Sequence, residues 1–107
     1  LASRRRTIKN IAFAAVEARE MATADNAVQT KQSLGPLHGL PIAVKDLSLT
    51  KDIRTTFGSL AFENQIPATD SLLVQRLKKA GAIIIGKTNT PEFGAGSNTF
   101  NKVFGVT

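Results

Sequence analysis

The stretch that decides the fold is TDSLLVQRLKKAGAIIIGKT, residues 69–88. Its first half predicts a helix over residues 70–80, because apolar side chains recur at helical spacing behind residues that suit an N-cap. The apolar face of this helix is expected to comprise Leu72, Leu73, Val74, Leu77 and Ala80. Gly81 follows at the position where a left-handed residue commonly ends a helix. The apolar run after it predicts a strand over residues 82–87, buried on both faces as in parallel sheets covered by helices.

A second stretch, GPLHGLPIAVKDLS at residues 35–48, predicts the partner strand. Gly and Pro mark a connection over residues 33–41, and the apolar run that ends it predicts a strand over residues 42–46. Strand, helix and strand in this order form a βαβ unit, so the two strands are expected to lie parallel. The predicted fold class is α/β.

The remaining segments carry weaker signals. Residues 4–31 are rich in alanine and predict helix, either one long helix or two short ones separated near residues 25–26. Residues 47–69 are expected to be mostly irregular. A chain of 107 residues suffices for about one small domain. We therefore divide it into an N-terminal helical segment, residues 1–32, and a βαβ-containing part, residues 33–107.

Charge and composition bear on the class of partner. The chain carries 14 Lys and Arg against 8 Asp and Glu, a net charge of +6. The basic residues cluster within residues 4–9 and are otherwise scattered, and there is no Tyr or Trp to stack on bases. A solvated basic segment is favoured, and nucleic acid is not expected as a partner.

The chain has no cysteine and one histidine, His38. Disulfides, thiolate catalysis and Cys-ligated metals are therefore excluded, and a site with several His ligands is excluded as well. The absence of cysteine fits the cytosol, so a cytoplasmic location is expected. No apolar run approaches the roughly 20 residues that span a bilayer, and no membrane association is expected.

Both predicted strands end in a lysine, Lys45 and Lys87, and a polar, glycine-rich segment follows the second. Ligands of open parallel sheets bind beyond the carboxyl ends of the strands. Taken alone, Lys45 fits a catalytic group or an ordinary exposed strand end. Asp46 is a poor partner for it, because consecutive side chains on a strand face opposite ways.

Three segments in register resemble the opening part of the amidase signature family: GPLHGLPIAVKD (35–46), ATDSLLVQRLKKAGAIIIGKTNTPEF (68–93) and SNTFNKVFGVT (97–107). The resemblance covers roughly residues 33–107. It implies a mixed, mostly parallel sheet covered by helices. It also implies cleavage of amide bonds by a Ser–cis-Ser–Lys triad, without a metal or organic cofactor.

The resemblance assigns roles to particular residues. Lys45 matches the triad lysine, which in its neutral form accepts a proton through the bridging serine. The segment that would border the substrate cleft contributes Asn89, Gly94, Ala95, Gly96 and Ser97. Lys87 is expected to support the edge of the site, His38 to be structural, and Ser97 not to be the nucleophile.

In the family, both triad serines lie in a glycine- and serine-rich segment that these 107 residues do not contain. We therefore expect an N-terminal piece of an amidase, inactive alone, whose parent enzyme acts on a small-molecule amide. Exposed sheet surface would favour association or a homo-oligomer. Two alternatives stay open at this point: a catalytically dead remnant that acts as an interaction module, and a small basic nucleic-acid-binding protein.

Overall fold

The structure, a computed structural model, describes residues 17–30 and 32–107. Helix α1 spans Glu17–Gln29 and continues through residues 25–26 without a break. It lies within the helix predicted over residues 4–31, and the rest of that prediction up to residue 16 lies outside the described residues. Helix α2 spans Leu72–Lys79, inside the predicted range 70–80.

Strand β1 spans Pro41–Lys45 and strand β2 spans Ile83–Thr88, each within one residue of its prediction. The two strands pair in parallel, and two short strands near residue 100 pair antiparallel. The remaining elements are β3 (Phe100–Asn101), β4 (Gly105–Val106) and 3-10 turns at Leu60–Phe62 and Glu92–Gly94. Residues 47–69 are otherwise irregular, as predicted. The α/β class is confirmed.

A bulge in β2 decides which way its side chains face. Ile42 of β1 lies opposite Ile84, but Val44 lies opposite Lys87, so β2 holds one more residue than β1 between these pairs. In a regular strand, residues three positions apart face opposite sides of the sheet. The extra residue therefore brings Ile84 and Lys87 to the same face.

Helices cover both faces of β2. On one face, Val74 of α2 is fully buried against Val44, Ile53 and Ile84, and Leu77 packs at the edge of this core. On the other face, the buried Ala24 of α1 lines a cavity together with Ile83. Burial on both faces is what the unbroken apolar run predicted.

The predicted apolar face of α2 is partly wrong. Leu72 and Leu73 are 61% and 56% exposed, while Val74 is buried and Leu77 partly buried. The helix begins after the N-cap Ser71, whose hydroxyl accepts from the Val74 amide. Each residue turns about 100°, so with Val74 facing the core the side chains of residues 72 and 73 turn away from it.

The connection before β1 packs closely on the end of α2. The Gly39 amide donates to the Gly81 carbonyl at 2.9 Å. Gly81 has φ +95°, and a Cβ there would lie 2.9 Å from the His38 Cα, so only glycine fits. The His38 ring bonds the Ala24 carbonyl through Nε2 and accepts from the Leu34 amide through Nδ1, both at 3.0 Å. These contacts support the structural role predicted for His38.

Candidate active site

Lys45 is the last residue of β1 and lies opposite Thr88 of β2. Its side chain is exposed, and its carbonyl accepts from the Ser48 amide at 3.0 Å. Within residues 17–30 and 32–107, no hydrogen bond or ion pair engages its ammonium group. The fold therefore fixes the backbone of Lys45 and leaves its amine available.

Asp46, the next residue, faces the other side of the sheet and is 2% exposed. Its backbone is held on both sides, because its amide donates to the Thr88 carbonyl and its carbonyl accepts from the Phe57 amide, each at 3.0 Å. Its Oδ2 accepts from the amide of Thr56 at 3.1 Å and from the hydroxyl of the same residue. Its Oδ1 has no hydrogen-bond partner among the described residues.

Lys87 lies on the face of the sheet that carries Asp46 and is 3% exposed. Its Nζ donates to Thr50 Oγ1 at 2.9 Å, to Thr55 Oγ1 at 3.1 Å and to the Ser48 carbonyl. We call these three acceptors the oxygen cage. The Asp46 Oδ1 lies 3.8 Å from Nζ, within ion-pair distance. All three protons of an ammonium group are used here.

Burial lowers the pKa of Lys87 to about 8, against the attraction of the Asp46 carboxylate and, more weakly, of Asp70. Desolvation disfavours the charged form of a buried lysine, and a nearby carboxylate favours it. At pH 7 the ammonium form still prevails. Asp70 is itself engaged, since its carboxylate pairs with Lys78 at 2.9 Å.

Both lysines lie at the same edge of the sheet, as predicted, but on opposite faces. The bulge in β2 separates them, and its sequence signal was Gly86, since an isolated glycine inside a strand often marks a bulge. The partners of Lys87 were also missed, because Thr50, Thr55 and Thr56 lie in a segment without a recognisable motif. The one available hint was the excess of threonine in a segment expected to be irregular.

The predicted cleft segment is only partly assembled into a cavity. Ala95, Gly96 and Ser97 line a cleft of about 440 Å³, together with other residues between positions 91 and 102. Lys45 is not among its lining residues. Gly94 lies beside the cleft at φ +75°, and a Cβ there would come within 2.9 Å of a Leu47 methyl group.

The side-chain amide of Asn89 is engaged in hydrogen bonds within the fold. Its Nδ2 donates to Thr107 Oγ1 at 2.8 Å, and its Oδ1 accepts from the Thr90 amide at 3.0 Å and from Asn101 Nδ2 at 2.6 Å. Asn101 also donates to the Thr90 carbonyl at 2.7 Å. The Asn89 side chain thus ties the end of β2 to the β3–β4 hairpin, which orients the loop around the cleft.

Comparison with known proteins agrees with this architecture. The Amidase family model matches residues 2–107, so the chain belongs to the Amidase family. The structure is similar to that of native peptide amidase from Stenotrophomonas maltophilia, with a TM-score of 0.83 and 30% identity. That similarity covers 95% of this chain and 22% of the peptide amidase.

Curated relatives include subunits A of glutamyl-tRNA(Gln) amidotransferase. The subunit of Rhodopirellula baltica is 45% identical over 93 residues, covering 87% of this chain and 18% of the relative. The subunit of Lawsonia intracellularis is 56% identical over 72 residues, covering 67% and 15%. The chain thus spans about a fifth of the length of the proteins it resembles.

Proposed function

We propose that the full-length protein carrying this sequence hydrolyses carboxylic amide bonds through a Ser–cis-Ser–Lys triad, with Lys45 as its lysine. The observation that carries the proposal is the position of Lys45. In a chain of the Amidase family, it ends a parallel strand, and its amine is not engaged by the described residues. Its neighbour Lys87 is enclosed and fully hydrogen-bonded, so it is unsuited to accept a proton.

In this mechanism, neutral Lys45 accepts a proton from the bridging serine, which takes one from the nucleophilic serine. The nucleophile attacks the amide carbonyl, the C–N bond breaks, and the amine leaves with the proton. Water then hydrolyses the acyl-enzyme and releases the acid. Enclosure of Lys45 by the longer protein would remove water from its amine, which favours the neutral form.

The cleft lined by Ala95, Gly96 and Ser97 is proposed to accept the substrate, a small-molecule amide. Small side chains there leave room for an acyl group. Asn89 would act by orienting this loop, because its amide groups are already engaged by Thr90, Asn101 and Thr107. The reaction as written needs no metal or organic cofactor.

Both triad serines are proposed to come from a glycine- and serine-rich segment of the family domain, outside these 107 residues. Ser97 is not the nucleophile in this proposal. It follows that the 107-residue chain alone has no amidase activity, since it would lack the nucleophile, the bridging serine and the oxyanion-binding groups.

The experiment that tests the proposal measures ammonia or amine release from a panel of aliphatic and aryl amides by the full-length protein. We expect turnover that Lys45→Ala abolishes and that Lys79→Ala preserves. Lys79 is the matched control, because it is an exposed lysine of α2. Hydrolysis that survives Lys45→Ala, or no hydrolysis of any amide, would overturn the proposal.

A second candidate function is amidotransfer to glutamyl-tRNA(Gln), the activity named for the curated relatives. Identities of 45–56% to those subunits, against 30% to peptide amidase, favour it. The test is amide formation on glutamyl-tRNA(Gln) with a carboxamide as nitrogen donor. This candidate conflicts with the prediction that nucleic acid is not a partner, so tRNA binding distinguishes the two.

Location and assembly stay predictions. No helix within the described ranges is both long and apolar enough to cross a membrane. The cytoplasmic location and the homo-oligomer expected from the sequence belong to this proposal, as does the division at residue 32. A catalytically dead interaction module is the alternative that the activity assay addresses directly.

A further inference from the structure

We propose that Asp46 and Lys87 form a buried positioning pair that holds Lys45 in place without contacting the substrate. This inference rests on the proposed function of Lys45. It concerns two residues whose side chains lie on the opposite face of the sheet from Lys45 and are 2% and 3% exposed.

The first step is the attachment of Asp46. Its amide and carbonyl bond to Thr88 and Phe57, and its Oδ2 bonds to both donors of Thr56. These bonds come from β2 and from the segment that follows β1, so they reach Asp46 from two directions. Because Asp46 shares a peptide bond with Lys45, the orientation of that peptide is fixed by the same contacts.

The second step is the oxygen cage around Lys87. The Thr50 hydroxyl donates its proton to the Ser48 carbonyl, and the Thr55 hydroxyl donates to the Ile53 carbonyl, both at 3.0 Å. Each hydroxyl has only one proton, so towards Lys87 its oxygen can only accept. The site is therefore built for a lysine with three protons, and the Asp46 carboxylate at 3.8 Å balances its charge.

The third step connects the two residues. Lys87 donates to three oxygen atoms within residues 48–55, and Asp46 accepts from the amides of Thr56 and Phe57. The segment after β1 is therefore folded around one buried ion pair. Lys45 sits at the start of this segment. Loss of either charge would leave the other one buried and uncompensated, and the segment would rearrange to solvate it.

The test compares Lys87→Met, Asp46→Asn and the double variant of the full-length enzyme, with Lys79→Met and Asp52→Asn as exposed controls. We expect each single variant to lower kcat about 10- to 100-fold, the scale of a 1 Å misplacement of a catalytic group. KM should change less than threefold, because neither side chain touches the substrate.

The pH dependence of kcat distinguishes a role of the Asp46–Lys87 pair in positioning Lys45 from a role in folding alone. Neutral Lys45 is the active form in the proposed mechanism, so kcat should rise with pH along an acid limb. In Lys87→Met, the uncompensated Asp46 carboxylate favours protonated Lys45, and this acid limb should move to higher pH. In the double variant no charge is left, and the limb should return towards its wild-type position. Asp70 also acts on Lys87 and is unchanged in every variant.

If Lys87→Met yields no folded enzyme, Asp46→Asn tests the positioning inference instead, through a loss of kcat at unchanged KM. Wild-type kcat in Asp46→Asn, or an unmoved acid limb in folded Lys87→Met, would overturn the inference. Lys45→Ala, measured alongside, distinguishes a failure of this inference from a failure of the proposed function. If that variant retains activity, the proposed function itself is wrong.

Discussion

Lys45 and Lys87 lie near the carboxyl ends of neighbouring parallel strands, yet they occupy opposite environments. Lys45 is exposed, and the described part of the chain engages its backbone but not its amine. Lys87 is 3% exposed and donates to three oxygen atoms beside a carboxylate. The amine of Lys45 is not engaged by the described residues, whereas each proton of the Lys87 ammonium group is used in a hydrogen bond within the fold.

This difference arises from the backbone and not from the residue type. A single extra residue in β2 brings Lys87 to the core face, opposite Val44, while Lys45 stays on the other face opposite Thr88. A lysine at the carboxyl end of a strand is thus not by itself a candidate base. The environment that its side chain enters decides between a chemical and a structural role.

The largest effect is expected from Lys45→Arg in the full-length enzyme. Guanidinium stays protonated and cannot accept the proton that the proposed mechanism passes to residue 45. We expect kcat to fall by about 10²- to 10⁴-fold, the range of general acid–base contributions, with little change in KM. Steady-state kinetics on an amide substrate measure this. Retention of most activity would mean that Lys45 serves as a fixed positive charge.

Lys87→Met should act on stability. Removing one partner of a buried ion pair costs about 3–5 kcal/mol, because the remaining charge is uncompensated. Urea unfolding of the full-length protein at pH 7 should show a correspondingly lower midpoint, with Lys79→Met close to wild type. A midpoint for Lys87→Met within error of wild type would remove the structural role assigned to this lysine.

Thr55→Val should produce a smaller loss of stability. The substitution removes one acceptor of the oxygen cage, which leaves a buried proton of Lys87 unsatisfied at a cost of about 1–3 kcal/mol. Thr55→Ser keeps the acceptor and should recover much of this loss. Equal unfolding midpoints for the valine and serine variants would show that the hydroxyl is not what holds Lys87.

The pH dependence of stability should carry a further signature of Lys87. The pKa of Lys87 is about 8 in the folded protein, against 10.5 for an unperturbed lysine. Between these values the unfolded chain holds more protons, so the contribution of Lys87 to the free energy of unfolding rises with pH. Below pH 8 it is flat. Urea midpoints at pH 7 to 10 should therefore rise more steeply, or fall less, in wild type than in Lys87→Met.

Much of the fold follows from the sequence. The candidate N-cap residues ahead of the helix, the apolar run after Gly81 and the order strand, helix, strand were enough to predict α2, β1 and β2 and their parallel pairing. These are local signals, set by periodicity and backbone conformation. The burial predicted for Leu72 and Leu73 was wrong, because helical spacing alone does not tell which side of the helix faces the core.

The environment of the strand-end lysines was beyond prediction. The bulge that turns Lys87 inward depends on how the two strands pack, and Gly86 in GAIIIGKT suggests a bulge without fixing where the extra residue lies. The oxygen cage joins Lys87 to residues more than 30 positions away in an irregular segment. Such contacts follow from tertiary packing. By contrast, Asp46 facing away from Lys45 follows from strand alternation and was expected.

The most direct test measures kcat and the urea midpoint on the same preparations of full-length Lys45→Met and Lys87→Met. We expect Lys45→Met to lose its activity while its urea midpoint falls clearly less than that of Lys87→Met, because no described residue bonds to the Lys45 amine. We expect Lys87→Met to lose several kcal/mol of stability while retaining measurable turnover. An active Lys45→Met, or a Lys45→Met as unstable as Lys87→Met, would contradict the division of roles between the two lysines.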